Sequence, residues 1–204
     1  MSSETLWYNS RVQLIRDLII LNFILMKDYK CEIKFTTPYL QARFTEDAKK
    51  ELENYISKGI VKSEEESWRV FLHEDESGIY IPNIQLRNSL INAGKEFKIK
   101  KQRKSMMQWV ISNLIINPDK IYLNKKEPDD VIISYPARKD GNRVTTKHPC
   151  IVAGTTVEFE IKILDKDMES KAIKNLLEMA GKMYGIGARR RDMFGRFEIV
   201  KFEE

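Results

Sequence analysis

Apolar and charged residues alternate most strictly near the C-terminal end of the chain. The four apolar residues from Val157 to Ile163 are separated by charged ones, which is the pattern of a strand with one buried face. A helix is predicted next, because apolar residues between Met168 and Tyr184 recur at helical spacing until Gly185 can end it. A loop and a last strand at 197–202 complete a strand–helix–strand unit, the second half of a βαββαβ fold.

The first half of such a fold can be assigned to three separate segments. Alternating apolar residues predict a strand at 31–36, which Thr37-Pro38 closes. Pro82 can begin a helix whose apolar residues share one face, and a further strand is predicted at 131–135. We therefore expect an α+β fold with a βαββαβ core and insertions.

The remaining segments are predicted to be additions to this core. Residues 1–30 are expected to form an N-terminal helical extension, and residues 97–130 an insertion. Between them, residues 48–56 have the pattern of an amphipathic helix, and residues 68–72 and 78–81 that of a short hairpin. Because no linker or shift in composition divides the chain, we predict one domain over residues 1–204.

The composition agrees with a compact domain and limits the class of protein. The chain has 204 residues, 42% hydrophobic and 32% charged, so it can bury a core beneath a charged surface. Two cysteines, Cys31 and Cys150, are too few for a zinc site or a disulfide scaffold. The N-terminus lacks signal-peptide features, and the apolar run 18–26 is too short to cross a bilayer. We expect a cytoplasmic protein that uses no membrane, metal or cofactor.

The formal net charge of +5 is concentrated in a few segments, of which the strongest is the loop GIGARRRDMFGRF at 185–197. Glycines allow the backbone to approach a ligand closely, and exposed N–H groups there can bind phosphate oxygens. Arginines add bidentate phosphate contacts and planar faces for stacking on bases. The loop has neither the Gly-Lys-Ser/Thr ending of a Walker motif nor the position of a dinucleotide fingerprint. The alternative is a tight connection with solvated arginines. The candidate binding residues in this loop are Gly185, Gly187, Arg189, Arg190, Arg191, Phe194, Gly195 and Arg196.

Two further segments are strongly basic. Between Lys95 and Lys104, six cations accompany one acid, Glu96. Such density suits a surface that follows a phosphate backbone, because counterion release scales with the number of phosphates neutralised. The predicted hairpin around Asp140-Gly141 is also basic. For both segments the alternative is a solvated helix end or turn. The candidates are Lys98, Lys100, Lys101, Arg103 and Lys104 in the first segment, and Arg138, Lys139 and Arg143 in the second.

The sequence offers little for catalysis. Its two histidines, His73 and His148, could serve a metal-independent ribonuclease as general acid or base, but neither has a recognisable catalytic setting. The run His148-Pro149-Cys150 lacks the further ligand pair that zinc needs. No nucleophile elbow or Ser/His/Asp spacing is present. We assign no catalytic residue.

Two motifs resemble a known family. The ending GIGARRRDMFGRFEI, from Gly185, resembles the glycine-rich loop and closing strand of the RAMP superfamily (repeat-associated mysterious proteins). Residues 78–88, GIYIPNIQLRN, look like the strand, Ile-Pro and helix junction of the subunits that polymerise along CRISPR guide RNA. In those subunits Gly-Ser-Ser and a Lys-Gly step are usual, where this chain has Asn83, Ile84 and Arg87-Asn88. The resemblance implies a ferredoxin-like (RRM-like) core, in a CRISPR backbone subunit or a stand-alone phage or archaeal-virus relative.

Three functions follow from the residues and the resemblance. The first is non-catalytic binding of single-stranded nucleic acid, RNA rather than DNA, with assembly along the strand as a homo-oligomer or beside effector-complex subunits. The second is a metal-independent endoribonuclease of the RAMP type, with His73 or His148 as the acid or base. The third is a viral or CRISPR-related protein-interaction module that uses the fold for assembly alone.

Overall fold

The computed structural model describes residues 13, 26–43, 50, 68–98, 105–134 and 146–204. The prediction of an α+β fold is confirmed, since the described elements are a mixture of helices and antiparallel sheets. Short 3₁₀ turns occur at Arg69–Phe71 and Arg190–Asp192, and a π-helical turn at Ala180–Tyr184. The strands are β1 (Lys27–Phe35), β2 (Tyr39–Leu40), β3 (Glu74–Asp75), β4 (Gly78–Pro82), β5 (Leu114–Asn117), β6 (Lys120–Tyr122), β7 (Asp130–Ser134), β8 (Thr146–Ile151), β9 (Thr156–Ile163) and β10 (Phe197–Glu203), and the helices are α1 (Asn83–Ala93), α2 (Met106–Asn113) and α3 (Ser170–Met179).

A four-stranded sheet with the order β10-β1-β9-β5 forms the centre of the molecule. All neighbouring strands in it are antiparallel. Helix α1 lies in the chain between β1 and β5, and α3 lies between β9 and β10. Apolar residues alternate along β1 and β9, and their buried sides join the helices in one hydrophobic core. Among its largest fully buried side chains are Tyr29, Phe35, Tyr39, Leu86, Leu90 and Phe197.

The opposite face of this sheet is charged. Its outward residues form cross-strand rows of mixed sign, such as Lys34 beside Glu198 and Glu32 beside Lys201. The described outward positions on β1, β9 and β10 carry no aromatic ring, whereas an RRM stacks bases on aromatic residues of its sheet. This face therefore lacks the aromatic platform of an RRM. The charged residues of this face are six acids, Asp28, Glu32, Glu158, Glu160, Glu198 and Glu203, and four lysines, Lys30, Lys34, Lys162 and Lys201.

Two smaller sheets flank the centre, with the orders β2-β8-β7 and β3-β4-β6. Strand β4 continues directly into α1, as the Ile-Pro junction predicted: Pro82 is extended, with φ of −61° and ψ of 130°, and Asn83 is the first helical residue. Strands β7 and β8 pair from Asp130↔Cys150 to Ser134↔Thr146. They therefore enclose the predicted basic hairpin turn, whose residues 135–145 lie outside the described part of the chain.

The C-terminal predictions are confirmed, and several earlier ones are wrong. The strand, helix and closing strand after residue 156 occur as the periodicity indicated. The strand at 131–135 was expected in the central sheet, but β7 belongs to the sheet of β2 and β8, and β5 forms an edge of the central sheet in its place. Strand β5 lies inside 97–130, so part of the predicted insertion belongs to the central sheet.

Two local predictions also need correction. Residues 27–30 belong to β1, so the predicted helical extension cannot reach residue 30. The first arm of the hairpin, at 68–72, contains a 3₁₀ turn, and the short strand β3 pairs with β4 instead. The predicted helix at 48–56 lies outside the described residues except for Lys50.

In the described part of the chain, no helix is long and apolar enough to cross a membrane.

Candidate nucleic-acid interface

An open cleft of about 500 Å³ lies beside the glycine- and arginine-rich loop. It is formed where four parts of the chain meet: the segment after β2, helix α1, the start of β8 and the loop itself. Its size is in the range of small-ligand sites in proteins. The lining residues are Ala42, Gln85, Asn88, Thr146, His148, Gly187, Ala188, Arg189 and Arg190.

Backbone hydrogen bonds hold the loop against the turn between β1 and β2. Gly195 N–H donates to Pro38 O at 2.8 Å, and Ala188 N–H donates to Leu40 O at 2.8 Å. Across the loop, Ile186 N–H donates to Gly195 O at 2.9 Å. These bonds give the loop a defined path along the wall of the cleft.

The glycines of the loop have packing roles. Gly185, Gly187 and Gly195 all have positive φ, which favours glycine. A Cβ at Gly195 would lie on Ile186 O, and a Cβ at Gly187 would lie 2.5 Å from the Tyr39 ring. Close packing therefore requires glycine at these positions, and Gly187 also lines the cleft.

The four arginines differ in their surroundings. Arg190 and Arg191 are exposed, and neither is in an ion pair with another described residue. Arg189 is partly buried, and its Nε lies 2.7 Å from Asp192 Oδ2. Arg196 is 9% exposed and its Nη2 donates to Arg190 O at 3.1 Å, so it supports the loop from beneath. Burial, reinforced by the charge of Arg190, lowers the pKa of Arg196.

The other predicted binding residues either do not line the cleft or lie outside the described part of the chain. Phe194 is partly buried and does not line the cleft. Lys98 is exposed, forms an isolated bridge with Ser105 and is not among the lining residues. Thr146 lines the cleft and pairs with Ser134, so the basic hairpin begins at the rim. The residues Lys100, Lys101, Arg103, Lys104, Arg138, Lys139 and Arg143 lie outside the described part of the chain.

Of the positions in α1 that the resemblance singled out, Asn88 lines the cleft, whereas Asn83 and Arg87 are bound elsewhere. Asn83 Nδ2 donates to Ile116 O at 2.8 Å and to Asp119 Oδ1 at 2.9 Å, so this side chain is bound to the β5–β6 turn. Arg87 Nη2 donates to Ile111 O at 2.9 Å. Gln85 lines the cleft beside Asn88, and neither was among the predicted binding residues.

Gln41 joins the two histidines beneath the cleft. This side chain is fully buried, and its Oε1 accepts from His73 N–H at 2.6 Å while its Nε2 donates to Tyr80 O at 3.2 Å. Its backbone oxygen lies 3.3 Å from His148 Nδ1. No spacing rule identifies such a residue, because its partners are distant in the sequence.

Replacing Gln41 by methionine is expected to lower the free energy of unfolding by about 2 kcal/mol, because it leaves the buried N–H of His73 and the carbonyl of Tyr80 without their partner. Urea denaturation would measure the change. Gln108 is exposed on α2, and Gln108→Met serves as the control, with a change within about 0.5 kcal/mol. Equal stabilities of the two variants would contradict the bonding of Gln41.

Both histidines are held neutral near pH 7. Burial and the nearby positive charge of Arg43 lower the pKa of His73 to about 4. Burial also lowers the pKa of His148, and Arg189 contributes to the same shift. A proton on His148 Nδ1 is required for its bond to Gln41 O, which leaves Nε2 of the neutral ring as an acceptor.

Acid is expected to destabilise the protein through His73. A histidine whose pKa falls on folding binds more protons in the unfolded state than in the folded one. The contribution of His73 to the free energy of unfolding is therefore fully present above about pH 6.5, and it is lost as the pH falls towards the folded pKa of about 4. Between pH 7.5 and pH 5 the loss is about 2 kcal/mol. Denaturation of the wild type and His73→Gln over this range would test it, since the carboxylates titrate in both proteins. Parallel profiles would rule out the contribution of His73.

Comparisons with known proteins show similarity in structure alone. No protein-family model and no curated protein matches the sequence. The fold is similar to that of a chain in a cryo-EM structure of the type III-B Cmr-beta complex bound to cognate target RNA, with a TM-score of 0.53 and 17% identity over 96% of this chain. The present chain spans 66% of the length of that one. A chain of a type IV-B CRISPR complex gives a TM-score of 0.45 and 10% identity, covering 85% of this chain and 90% of its own.

Proposed function

We propose that this protein binds single-stranded nucleic acid, RNA in preference to DNA, along the cleft beside the glycine- and arginine-rich loop. The observation that carries the proposal is the position of the exposed Arg190 and Arg191 on a loop that is fixed beside an open cleft. Guanidinium groups bind phosphate oxygens in a bidentate manner and stack on bases. A loop that is already ordered loses little conformational entropy when it binds.

The electrostatics of the loop support an anionic ligand. Arg189, Arg190, Arg191 and Arg196 are accompanied by one acid, Asp192, so the segment 189–196 carries an excess of positive charge. The buried Arg196 makes no ion pair with a described residue, and its Nε and Nη1 have no hydrogen-bond partner there. A phosphate group near the loop would offset this uncompensated charge.

The cleft favours a single strand over a duplex. The cleft, of about 500 Å³, can hold part of a single strand. The amides of Gln85 and Asn88 and the Nε2 acceptor of His148 can bond to base edges, which are accessible in unpaired nucleic acid. These contacts lie apart from the mixed-charge sheet face.

The strand order supports a further proposal, that the core is ferredoxin-like and the protein a relative of the RAMP superfamily. Numbered within the core, β1, β5, β9 and β10 follow the order 4-1-3-2, with a helix after the first and third strands. The structural similarity to a chain of an RNA-bound type III-B complex agrees with this proposal. The partners would then be RNA and either effector-complex subunits or further copies of this chain arranged along the strand.

Fluorescence anisotropy with matched single-stranded RNA, single-stranded DNA and duplex DNA tests the proposal. We expect the tightest binding to single-stranded RNA, with an affinity that falls steeply as salt rises, because phosphate contacts release counterions. Full-length probes recovered afterwards would agree with a non-catalytic binder. Equal affinity for the duplex, or no binding at low salt, would contradict the proposal.

A metal-independent endoribonuclease is the second candidate, because His148 lines the cleft and His73 lies 3.5 Å from the Gln85 amide. Their lowered pKa values suit a neutral general base but leave neither ring protonated as an acid near pH 7. Incubation of hairpin RNA with the protein in EDTA would distinguish the candidates. Cleavage that is lost in His148→Ala would favour the nuclease, and intact RNA would favour the binder.

A further inference from the structure

The outer face of the β3-β4-β6 sheet carries a row of aromatic side chains. Tyr80 on β4 is directly opposite Tyr122 on β6, and Tyr80 N–H bonds to His73 O in the same register. Directly opposed residues of antiparallel strands point to the same face, so the three rings share one surface. The other face of this sheet carries Ile79, Ile81 and Ile121, which are buried in the core.

The rings of this aromatic row, His73, Tyr80 and Tyr122, are neighbours without being packed face to face. The centroid of His73 lies 5.8 Å from that of Tyr80 at an interplanar angle of 51°. The centroid of Tyr80 lies 6.0 Å from that of Tyr122 at 65°. Lys120 Nζ lies over the ring of Tyr80, 4.9 Å from its centroid, so a base that stacks on this face would displace the ammonium group.

The aromatic row continues from the cleft. Gln85 lines the cleft, and its Nε2 lies 3.5 Å from His73 Nε2. Tyr39 Oη donates to Gln85 Oε1 at 3.0 Å and so fixes that amide between the cleft and the aromatic row. Gln41 bonds to the backbones of both His73 and Tyr80. A strand that leaves the cleft past Gln85 therefore arrives at His73 and then at the tyrosines.

We infer that the aromatic row is a second binding site, at which bases of a single-stranded nucleic acid stack on Tyr80 and Tyr122 after the strand leaves the cleft. This inference rests on the proposed function and adds to it a base-stacking surface on the β3-β4-β6 sheet. Stacking on aromatic rings is the sequence-tolerant contact of single-strand binders, because every base has a π-face. The small local charge agrees with a base, not a phosphate, as the group bound, since Lys120 is already paired with Asp75 at 2.5 Å.

A comparison of normal and abasic RNA tests the inference. Both strands carry the same phosphates, and only the first carries bases. We expect Tyr80→Leu with Tyr122→Leu to weaken binding of the normal strand by about 10-fold or more, and to leave binding of the abasic strand unchanged. Equal loss on both strands, or no loss on either, would overturn the inference. Failure of the wild type to bind either strand would instead refute the proposed function and the inference with it.

A conservative variant separates stacking from the structural role of Tyr122. Its Oη donates to Asp75 Oδ2 at 3.0 Å, so Tyr122→Phe removes this bond and keeps the ring. The phenylalanine variant should bind normal RNA as the wild type does, and Tyr122→Leu should not. The opposite result would assign the effect to the Asp75 bond and overturn the inference.

A measurement on the wild type needs no variant that might fail to fold. A strand with 2-aminopurine in place of one base loses fluorescence when that base stacks. We expect quenching on binding at one or two positions of a short strand, next to those protected by the cleft. Uniformly unquenched fluorescence in the bound strand would overturn the inference.

Discussion

Replacing Gly195 by alanine is expected to lower the free energy of unfolding by roughly 4 kcal/mol, at the upper end of single substitutions. The backbone at Gly195 has φ of 70°, where a side chain is strained. The added Cβ would also overlap Ile186 O, an atom of the backbone that cannot rotate away. To relieve this overlap, the backbone segments at Ile186 and Gly195 would have to move apart.

Thermal unfolding would measure this effect, with an expected decrease in Tm of roughly 10 °C for a chain of this size. Gly154→Ala is the matched control, because Gly154 also has positive φ, at 92°, and no atom lies within 4 Å of the added Cβ. The control should cost about 1 to 2 kcal/mol, from backbone strain alone. If both variants lose the same stability, close packing of the loop is not what requires glycine at 195.

Replacing Arg189, Arg190 and Arg191 together by alanine is expected to weaken binding of single-stranded RNA by about 100-fold at moderate salt. The estimate assigns about 1 kcal/mol to each lost guanidinium–phosphate contact. The plot of log K against log salt should also become shallower by about 2, since each phosphate contact on a single strand contributes about 0.7 to the slope. Anisotropy titrations at several salt concentrations measure both quantities.

A control of equal charge separates the site from the net charge. Lys30, Lys162 and Lys201 lie on the outer face of the central sheet, and their triple alanine variant removes the same formal charge of +3. We expect the control to bind RNA within about threefold of the wild type, because this face is acidic overall and separate from the cleft. An equal loss of affinity in the two triple variants would show that binding follows the net charge.

How much could be predicted from the sequence depended on whether the interactions were local. The C-terminal strand, helix and closing strand were predicted correctly, because period-2 and helical patterns reflect burial on one face of each element. The place of β5 at the edge of the central sheet was not predicted. Leu114–Asn117 is a short apolar run with the same pattern as 131–135, and the pairing partner decides which of them joins the central sheet.

In the candidate site, too, local features could be predicted from the sequence and contacts between distant residues could not. The arginines of the loop were apparent because charge density is visible in the sequence. The different surroundings of Arg190, which is exposed, and Arg196, which is buried, depend on which way the loop turns. Gln41, Gln85 and the aromatic row were missed, since their partners come together only after the strands have paired.

The sequence by itself determined the α+β class, the C-terminal unit and the position of the basic loop, because periodicity, glycine and charge act over a few neighbouring residues. Only the tertiary structure decided that the glycines pack against the protein's own backbone, that His148 and Gln85 line one cleft, and that Tyr80 lies beside Tyr122. The physical reason is that these contacts join residues far apart in the chain. Their geometry is set by strand register and core packing, which no local pattern encodes.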